Sequence, residues 1–197
     1  MLVTVYCSGS IAKGPEDSTK VCWSDGERAL LSEGALPVEI QFLNPDDPID
    51  RLEDNYASFG RDMYQVRVSD FVVVDGRERR GVGVGVELLA SRLWRTPLIA
   101  VVPPESHYRR SNVCYRGTLV HHFLHSHIDC LADAIVDDFA AAGEWIREYV
   151  RKPQPIKTLD EVARAIEYYE RTLLPFDTSM QLHNSLSAQR GGATDSG

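Results

Sequence analysis

The chain is poor in every feature that marks a metal-stapled, membrane-spanning or polyanion-binding protein. Its four cysteines, Cys7, Cys22, Cys114 and Cys130, include no Cys-x-x-Cys pair and follow no regular spacing. Zinc ribbons, thioredoxin-like motifs and disulfide frameworks therefore find no support, and thiols kept reduced in a cytosol are the expectation. Basic residues are in deficit, with 21 Lys+Arg against 29 Asp+Glu and a formal net charge of −8. No Lys/Arg block supplies the face that a nucleic-acid polymer or an anionic membrane surface requires. Apolar runs end after a handful of residues, well short of the roughly 20 of a spanning helix. The opening Met1-Leu2-Val3-Thr4-Val5-Tyr6-Cys7 has no basic n-region and no apolar h-region of secretory length. It reads as a strand, and the expected location is cytoplasmic.

What the chain does have is enough apolar sequence for one sizeable core: 197 residues, 43% hydrophobic and 25% charged. Short β-rich runs alternate with helical stretches, the pattern of a parallel sheet flanked by helices. Residues 2–7 read as a first strand, followed by the loop Ser8-Gly9-Ser10-Ile11-Ala12-Lys13-Gly14-Pro15. A helix is expected from about Glu16 to a glycine C-cap at Gly34, then a strand over 37–42. Residues 49–68 have helical spacing interrupted by Gly60. Phe71-Val72-Val73-Val74 and residues 98–102 are apolar on both faces, so they belong in the sheet centre. Between them, a loop with Gly81, Gly83 and Gly85 precedes a helix over about 86–94. Residues 118–123 are a candidate fifth strand, and 129–150 read as one amphipathic helix. Thr158-Leu159-Asp160-Glu161 matches a capping box opening a last helix that Pro175 ends. From about Thr178 the sequence is polar, and a disordered tail is expected. The division expected is an α/β domain over 1–150, a linker and helix over 151–177, and a tail over 178–197.

Ligands of open α/β sheets bind beyond the carboxyl ends of the strands, which points to two glycine-rich loops, 8–15 and 77–85. Gly-x-Gly-x-Gly after the third strand is not the dinucleotide fingerprint, which follows the first. Glu87 stands out because it follows the glycines directly, at the mouth of the expected cleft. An acid in a first helical turn also arises simply because it complements the helix dipole. Asp62, on the preceding helix, can point its carboxylate to the same end of the sheet, or be a solvated helix-face charge. Two carboxylates converging there are what glycosidic chemistry requires. Asp70 reads as a turn residue or cap. His121, His122, His125 and His127 cluster in sequence but lack metal-ligand spacing, and surface or interface histidines are the favoured reading.

These residues resemble a known family. Tyr6-Cys7-Ser8-Gly9-Ser10-Ile11, with Glu16-Asp17 beyond it, is similar to the opening of the 2'-deoxynucleoside 5'-phosphate N-hydrolases. They form a branch of the nucleoside 2-deoxyribosyltransferase family that also includes CMP N-glycosidases. Arg61-Asp62-Met63-Tyr64 ahead of Asp70-Phe71-Val72-Val73-Val74 resembles the family's Arg-Asp and Ala-Asp-Val-Val-Val segments. Gly83-Val84-Gly85-Val86-Glu87-Leu88 is similar to its Gly-Val-Gly-Tyr-Glu-Leu. Arg110-Ser111-Asn112 resembles a serine segment that reaches a neighbouring subunit's site. The four motifs run collinearly from residue 3 to about 117.

The resemblance implies a doubly wound, flavodoxin-like or Rossmann-like five-stranded parallel sheet, here with a C-terminal helical extension. It implies cleavage of the N-glycosidic bond of a nucleoside or nucleoside 5'-monophosphate, with no metal or organic cofactor. Glu87 would be the nucleophile, Asp62 its orienter or the assistant to base departure, and Tyr6 the residue positioning nucleophile or sugar. Ser8, Gly9, Ser10, Ile11 and Lys13, with Gly83 and Gly85, would bind the substrate, and Ser111 would complete a phosphate site across a homodimer. Base exchange, a non-catalytic nucleotide-binding module and an NAD-type glycohydrolase are the alternatives. The chain departs from the family at Arg77-Glu78-Arg79-Arg80-Gly81, where a serine is usual, at Ala12-Lys13, and at Asp75. Arg79 and Arg80 either hold a phosphate as a charged fork or belong to a solvated loop.

Overall fold

The computed structural model describes residues 1–11, 23–47, 54–115 and 117–191. The expected loop contact Lys13, the start of the first helix and Cys22 lie outside those residues. The chain divides into two units, Met1–Thr158 and Leu159–Gly197.

The first unit is built on β1 (Leu2–Ser8), α1 (Asp25–Ala35), β2 (Glu39–Leu43), α2 (Asn55–Val68), β3 (Phe71–Asp75), α3 (Val82–Leu93) and β4 (Leu98–Val101). A hairpin follows, β5 (Arg109–Tyr115) and β6 (Thr118–Leu124), then α4 (Ser126–Leu131), β7 (Ala134–Val136) and α5 (Phe139–Arg151). The main sheet is parallel, in the order β2-β1-β3-β4-β7. β3 and β4 are buried at every residue, as double-sided apolar runs require. Alternation along β1 divides the core. Val3, Val5 and Cys7 pack with Leu31 of α1 and Phe139 and Ile146 of α5. Tyr6 packs on the other face with Val66 of α2, Val84 and Leu88 of α3, and Ile128 of α4. Burial pushes the Cys7 thiol up to about 12, leaving an inert apolar side chain.

Strand count and fold class match expectation, but the fifth strand is not residues 118–123. That run is β6, which pairs antiparallel with β5 in a separate two-stranded sheet. Both its faces are largely exposed, so it lacks the environment of a buried parallel strand. The fifth strand is β7, inside the stretch expected to be one helix. Ile135 and Val136 pair with β4, and Asp138 caps a new helix by accepting from Ala141 N. Leu131, Ile135 and Phe139 keep helical spacing across the strand by coincidence, which hides the break.

Gly34 is not a left-handed C-cap either. It lies within α1, where an added Cβ would stand 2.1 Å from the Ala140 carbonyl oxygen of α5. Gly143 reciprocates: its Cβ would stand 2.1 Å from the Leu31 carbonyl oxygen. The glycines are there so that two helices can touch backbone to backbone. Gly60, expected to interrupt α2, sits inside it without doing so.

The second unit comprises α6 (Asp160–Thr172), a 3-10 turn over Leu174–Phe176 and α7 (Thr178–Gly191). α6 opens with Leu159 at its N-cap and no side-chain cap bond, one residue later than the capping-box pattern places it. α7 occupies most of the segment expected to be disordered. No helix among the described residues is long and apolar enough to cross a membrane.

Gly143→Ala is therefore expected to destabilise the fold by about 1–3 kcal/mol, because the clashing atoms are backbone and cannot swing aside. Gly60→Ala, whose Cβ meets nothing within 4 Å, should be neutral or stabilising by up to about 1 kcal/mol. Chemical denaturation of both variants checks the contrast, and equal effects would contradict it.

Candidate active site

In the order β2-β1-β3 the chain leaves β1 in one direction for β2 and returns on the other side for β3. Loops from adjacent parallel strands diverge at such a point, opening a crevice at the strands' carboxyl ends. β1 ends there in Ser8 and β3 in Asp75. Tyr6 and Ser8, two residues apart, point to the α3 face.

Glu87 meets them. Tyr6 Oη donates to Glu87 Oε1 at 2.9 Å, and Ser8 Oγ donates to Glu87 Oε2 at 2.5 Å. Tyr6 and Ser8 are fully buried and Glu87 is 5% exposed. α3 begins at Val82, earlier than the glycine pattern suggests, so Glu87 sits in its second turn and the first turn holds no acid. The helix dipole therefore does not account for Glu87. Nor does an ion pair, since its hydrogen bonds come from two hydroxyls. Burial pushes its carboxyl above the ordinary value, the bonds from Ser8 and Tyr6 pull back, and the Asp62 charge adds to the rise. Burial and then the Glu87 charge raise the Tyr6 phenol far out of the physiological range, so it stays a donor.

Asp62 is half-buried on α2, which packs against α3, and its charge is felt by both Glu87 and Tyr6. The neighbouring Arg61 donates to the Pro45 carbonyl at 2.9 Å, tying α2 to the loop after β2. Gly83 and Gly85 lie exposed on the first turn of α3. A Cβ at Gly83 would come 3.9 Å from Glu87 Oε1, and one at Gly85 would meet nothing within 4 Å. Gly9 is closed in, since a Cβ there would stand 3.0 Å from Trp23 Nε1, which donates to the Ser8 carbonyl at 3.2 Å. Ser10 and Ile11 follow, both half-buried.

Arg79 and Arg80 do not act as a matched fork. Arg79 is exposed, whereas the Arg80 side chain is 2% exposed and committed to the protein. Its Nη2 pairs with Asp75 Oδ2 at 2.5 Å, and its Nη1 donates to Ser10 Oγ at 2.7 Å. Asp75 also receives Arg77 Nε at 2.9 Å, and Arg77 Nη1 reaches Glu27 at 2.7 Å. Burial pushes the Asp75 carboxyl up, but the Arg77 hydrogen bonds and the charges of Arg80 and Arg77 outweigh it and hold it below the ordinary value. Sequence reasoning misses this network, although an acid at the carboxyl end of a central strand is its available signal. Asp70 lies away from it, accepting from Thr4 N and Thr4 Oγ1 at the other end of the sheet.

Ser111 lies exposed on β5, paired with His122, and lines a cavity with Glu105, Arg109 and Arg110 rather than joining the Glu87 group. His121 Nδ1 donates to Asn112 Oδ1 at 2.9 Å. Among the described residues no three His, Cys, Asp or Glu side chains are grouped as metal ligands.

No family model and no curated protein matches the chain. Twenty chains of solved structures are similar to it, two of them as follows. A 2-deoxyribosyltransferase from Bacillus psychrosaccharolyticus has 16% identity, covering 79% of this chain and 98% of its own, at a TM-score of 0.47. A conserved protein from Enterococcus faecalis V583 has 12% identity, covering 75% of this chain and 99% of its own, at a TM-score of 0.50. The second likeness is one of fold.

Proposed function

We propose that the chain is a retaining N-glycosidase acting on a nucleoside or nucleoside 5'-monophosphate. The observation that carries this reading is the Glu87 carboxylate, buried at the sheet's switch point and held by two hydroxyl donors, with Gly83 beside it. Tyr6 and Ser8 fix both carboxylate oxygens, so little ordering remains when the sugar arrives. Glu87 attacks C1', the C1'–N bond breaks, and its electron pair leaves with the base, which takes up a proton. Asp62 steers this departure from the α2 side. Water then cleaves the glycosyl ester and restores Glu87. Ser10, held by Arg80, lies at the sugar's 5' end.

In this reading the enzyme works as a homodimer, with Ser111 serving the neighbouring site. α3 gives the surface for it. Its exposed residues, Val82, Gly83, Gly85, Val86, Leu89 and Leu93, include no polar side chain, and exposed Tyr56 and Phe59 extend the patch on α2. A second copy of the same surface is the partner that an isologous contact provides.

Base release by liquid chromatography from ribo- and deoxynucleosides, their 5'-monophosphates and NAD tests the reading. Wild type is expected to release base from at least one, and Glu87→Ala to lose roughly three orders of magnitude or more. Activity retained in Glu87→Ala would sink the proposal; dependence on an added free base would reassign the reaction to base exchange. A carboxyl whose folded-state pKa is raised costs stability once ionised, so stability is lost as pH rises above the ordinary Glu value. Glu87→Gln should accordingly melt higher than wild type at neutral pH while being inactive, with the gap closing in acid.

The pH profile has a defined direction. Glu87 attacks only when ionised, so kcat/KM should fall as pH drops through its raised pKa. Tyr6→Phe removes a bond that favours the carboxylate and should move that limb to higher pH. Asp62→Asn removes a like charge and should move it lower. Opposite displacements would mean that another group sets the limb.

Leu89→Arg is expected to shift the sedimenting species from dimer to monomer and to lower activity with it. A wild type that sediments as a monomer would remove the shared-site part of the reading.

A further inference from the structure

The hairpin places four rings in a row beside α3. His107 and Tyr108 lie 4.9 Å apart by ring centroid, Tyr108 and His125 5.3 Å, and His125 and His127 5.2 Å. The row walls a cavity of about 310 Å³ whose other sides include Arg79, Arg80 and Gly81. Val84, Gly85 and Leu88 of α3 and Ile128 of α4 line it as well, and Glu87 and Asp62 do not.

Its chemistry is one-sided. Three imidazoles, two guanidinium groups and a phenol line the cavity, and among the described residues no carboxylate does. Arg80 brings its charge already matched by Asp75, so among the described lining residues the guanidinium offered to a ligand is that of Arg79, exposed at the rim. Tyr108 Oη accepts from Arg80 N at 2.7 Å, which fixes the ring row to the loop before α3. His125 Nδ1 is buried with no hydrogen-bond partner. Burial, and then the charges of His127 and His107, depress the His125 pKa. Three ring groups converge here with no carboxylate opposite them among the described residues, an arrangement suited to an anion, whose oxygens can accept from ring N–H groups.

We propose that this cavity is an oxyanion site for a phosphate or phosphomonoester dianion, held by His107, His125, His127 and Arg79. Four donors spread around one wall suit a tetrahedral group with several acceptor oxygens better than a single planar carboxylate. The site does not depend on the reading given to Glu87, since neither that residue nor Tyr6 or Ser8 contributes to it. The phosphate comes either free or as the end of a larger molecule, and the two are separable by experiment.

The test is calorimetric titration of the full chain with inorganic phosphate. Wild type and Glu87→Gln should bind alike. The double variant His107→Asn/His127→Asn, and Arg79→Ala, should each weaken binding roughly tenfold or more. All three altered side chains are exposed, and an unchanged melting temperature without phosphate verifies folding. In a second arm, Glu87→Gln is titrated with a nucleoside and its 5'-monophosphate. If the histidine changes weaken the monophosphate alone, the site holds the substrate's own phosphate. If they weaken inorganic phosphate but neither nucleoside nor monophosphate, it holds a separate ligand. No phosphate binding by wild type, or binding indifferent to the histidine and arginine changes, overturns the site. Phosphate binding is read without turnover, so a failure of base release would count against the glycosidase and not against this site.

Discussion

A carboxylate held in a protein interior without a cation beside it is among the costlier things a fold can contain, and among the described residues Glu87 has none. Among the described residues its charge is met by the hydroxyls of Tyr6 and Ser8, which recover part of the lost hydration. Much of the structure around it follows from that need. Both donors come from one strand at a two-residue interval, so β1 must end at this point and face α3 with its even-numbered residues. β1 in turn is held between β2 and β3, the position that makes its carboxyl end the mouth of a crevice. Beside the acid the first turn of α3 carries Gly83, where an added Cβ would come 3.9 Å from Glu87 Oε1.

A second buried acid lies one strand away and is treated oppositely. Asp75 has two arginines, and its carboxyl is held down where Glu87 is pushed up. The contrast separates their roles. Removing one partner of a buried pair such as Asp75–Arg80 strands the other charge, so that pair fastens the loop after β3 to Ser10 of the loop after β1. Glu87 has no such partner among the described residues, and in the proposed reading its carboxylate is the group offered to the substrate. Arg77 extends the fastening to Glu27 and packs its guanidinium over Phe139, 4.9 Å from the ring centroid, so α1 and α5 are tied into the same corner.

The central strands and the pair Glu87–Asp62 are legible in the sequence because each rests on a local signal. β3 and β4 are apolar on both faces, and Glu87 follows its glycines directly. What is not legible depends on partners distant in sequence. β7 is three residues long and inherits a helical spacing from its neighbours, so only its pairing with β4 identifies it. Gly34 looks like a cap until Ala140, far along the chain, is placed against it. Arg80 looks like a free phosphate ligand because its sequence shows no sign that Asp75 and Ser10 would claim it.

α3 joins these themes, because its amphipathicity is inverted. Glu87, Ser91 and Arg92 turn inward, while Val82, Val86, Leu89 and Leu93 turn out. Each inward polar group has its own answer. Glu87 has its two hydroxyls, Ser91 donates to the Leu88 carbonyl at 2.7 Å, and Arg92 pairs with Asp133 and donates to the Thr96 and Lys157 carbonyls. The outward apolar row is covered by none of the described residues. Hydrophobic burial is the main driving force for placing a helix, and here it accounts for Val84 and Leu88 but leaves an entire face unused. A helix that accepts buried charge on one side and bare valine and leucine on the other is explained if both sides are working surfaces. The inner one then presents an acid to a ligand, and the outer one meets another molecule, with the glycines at its first turn standing where the two meet.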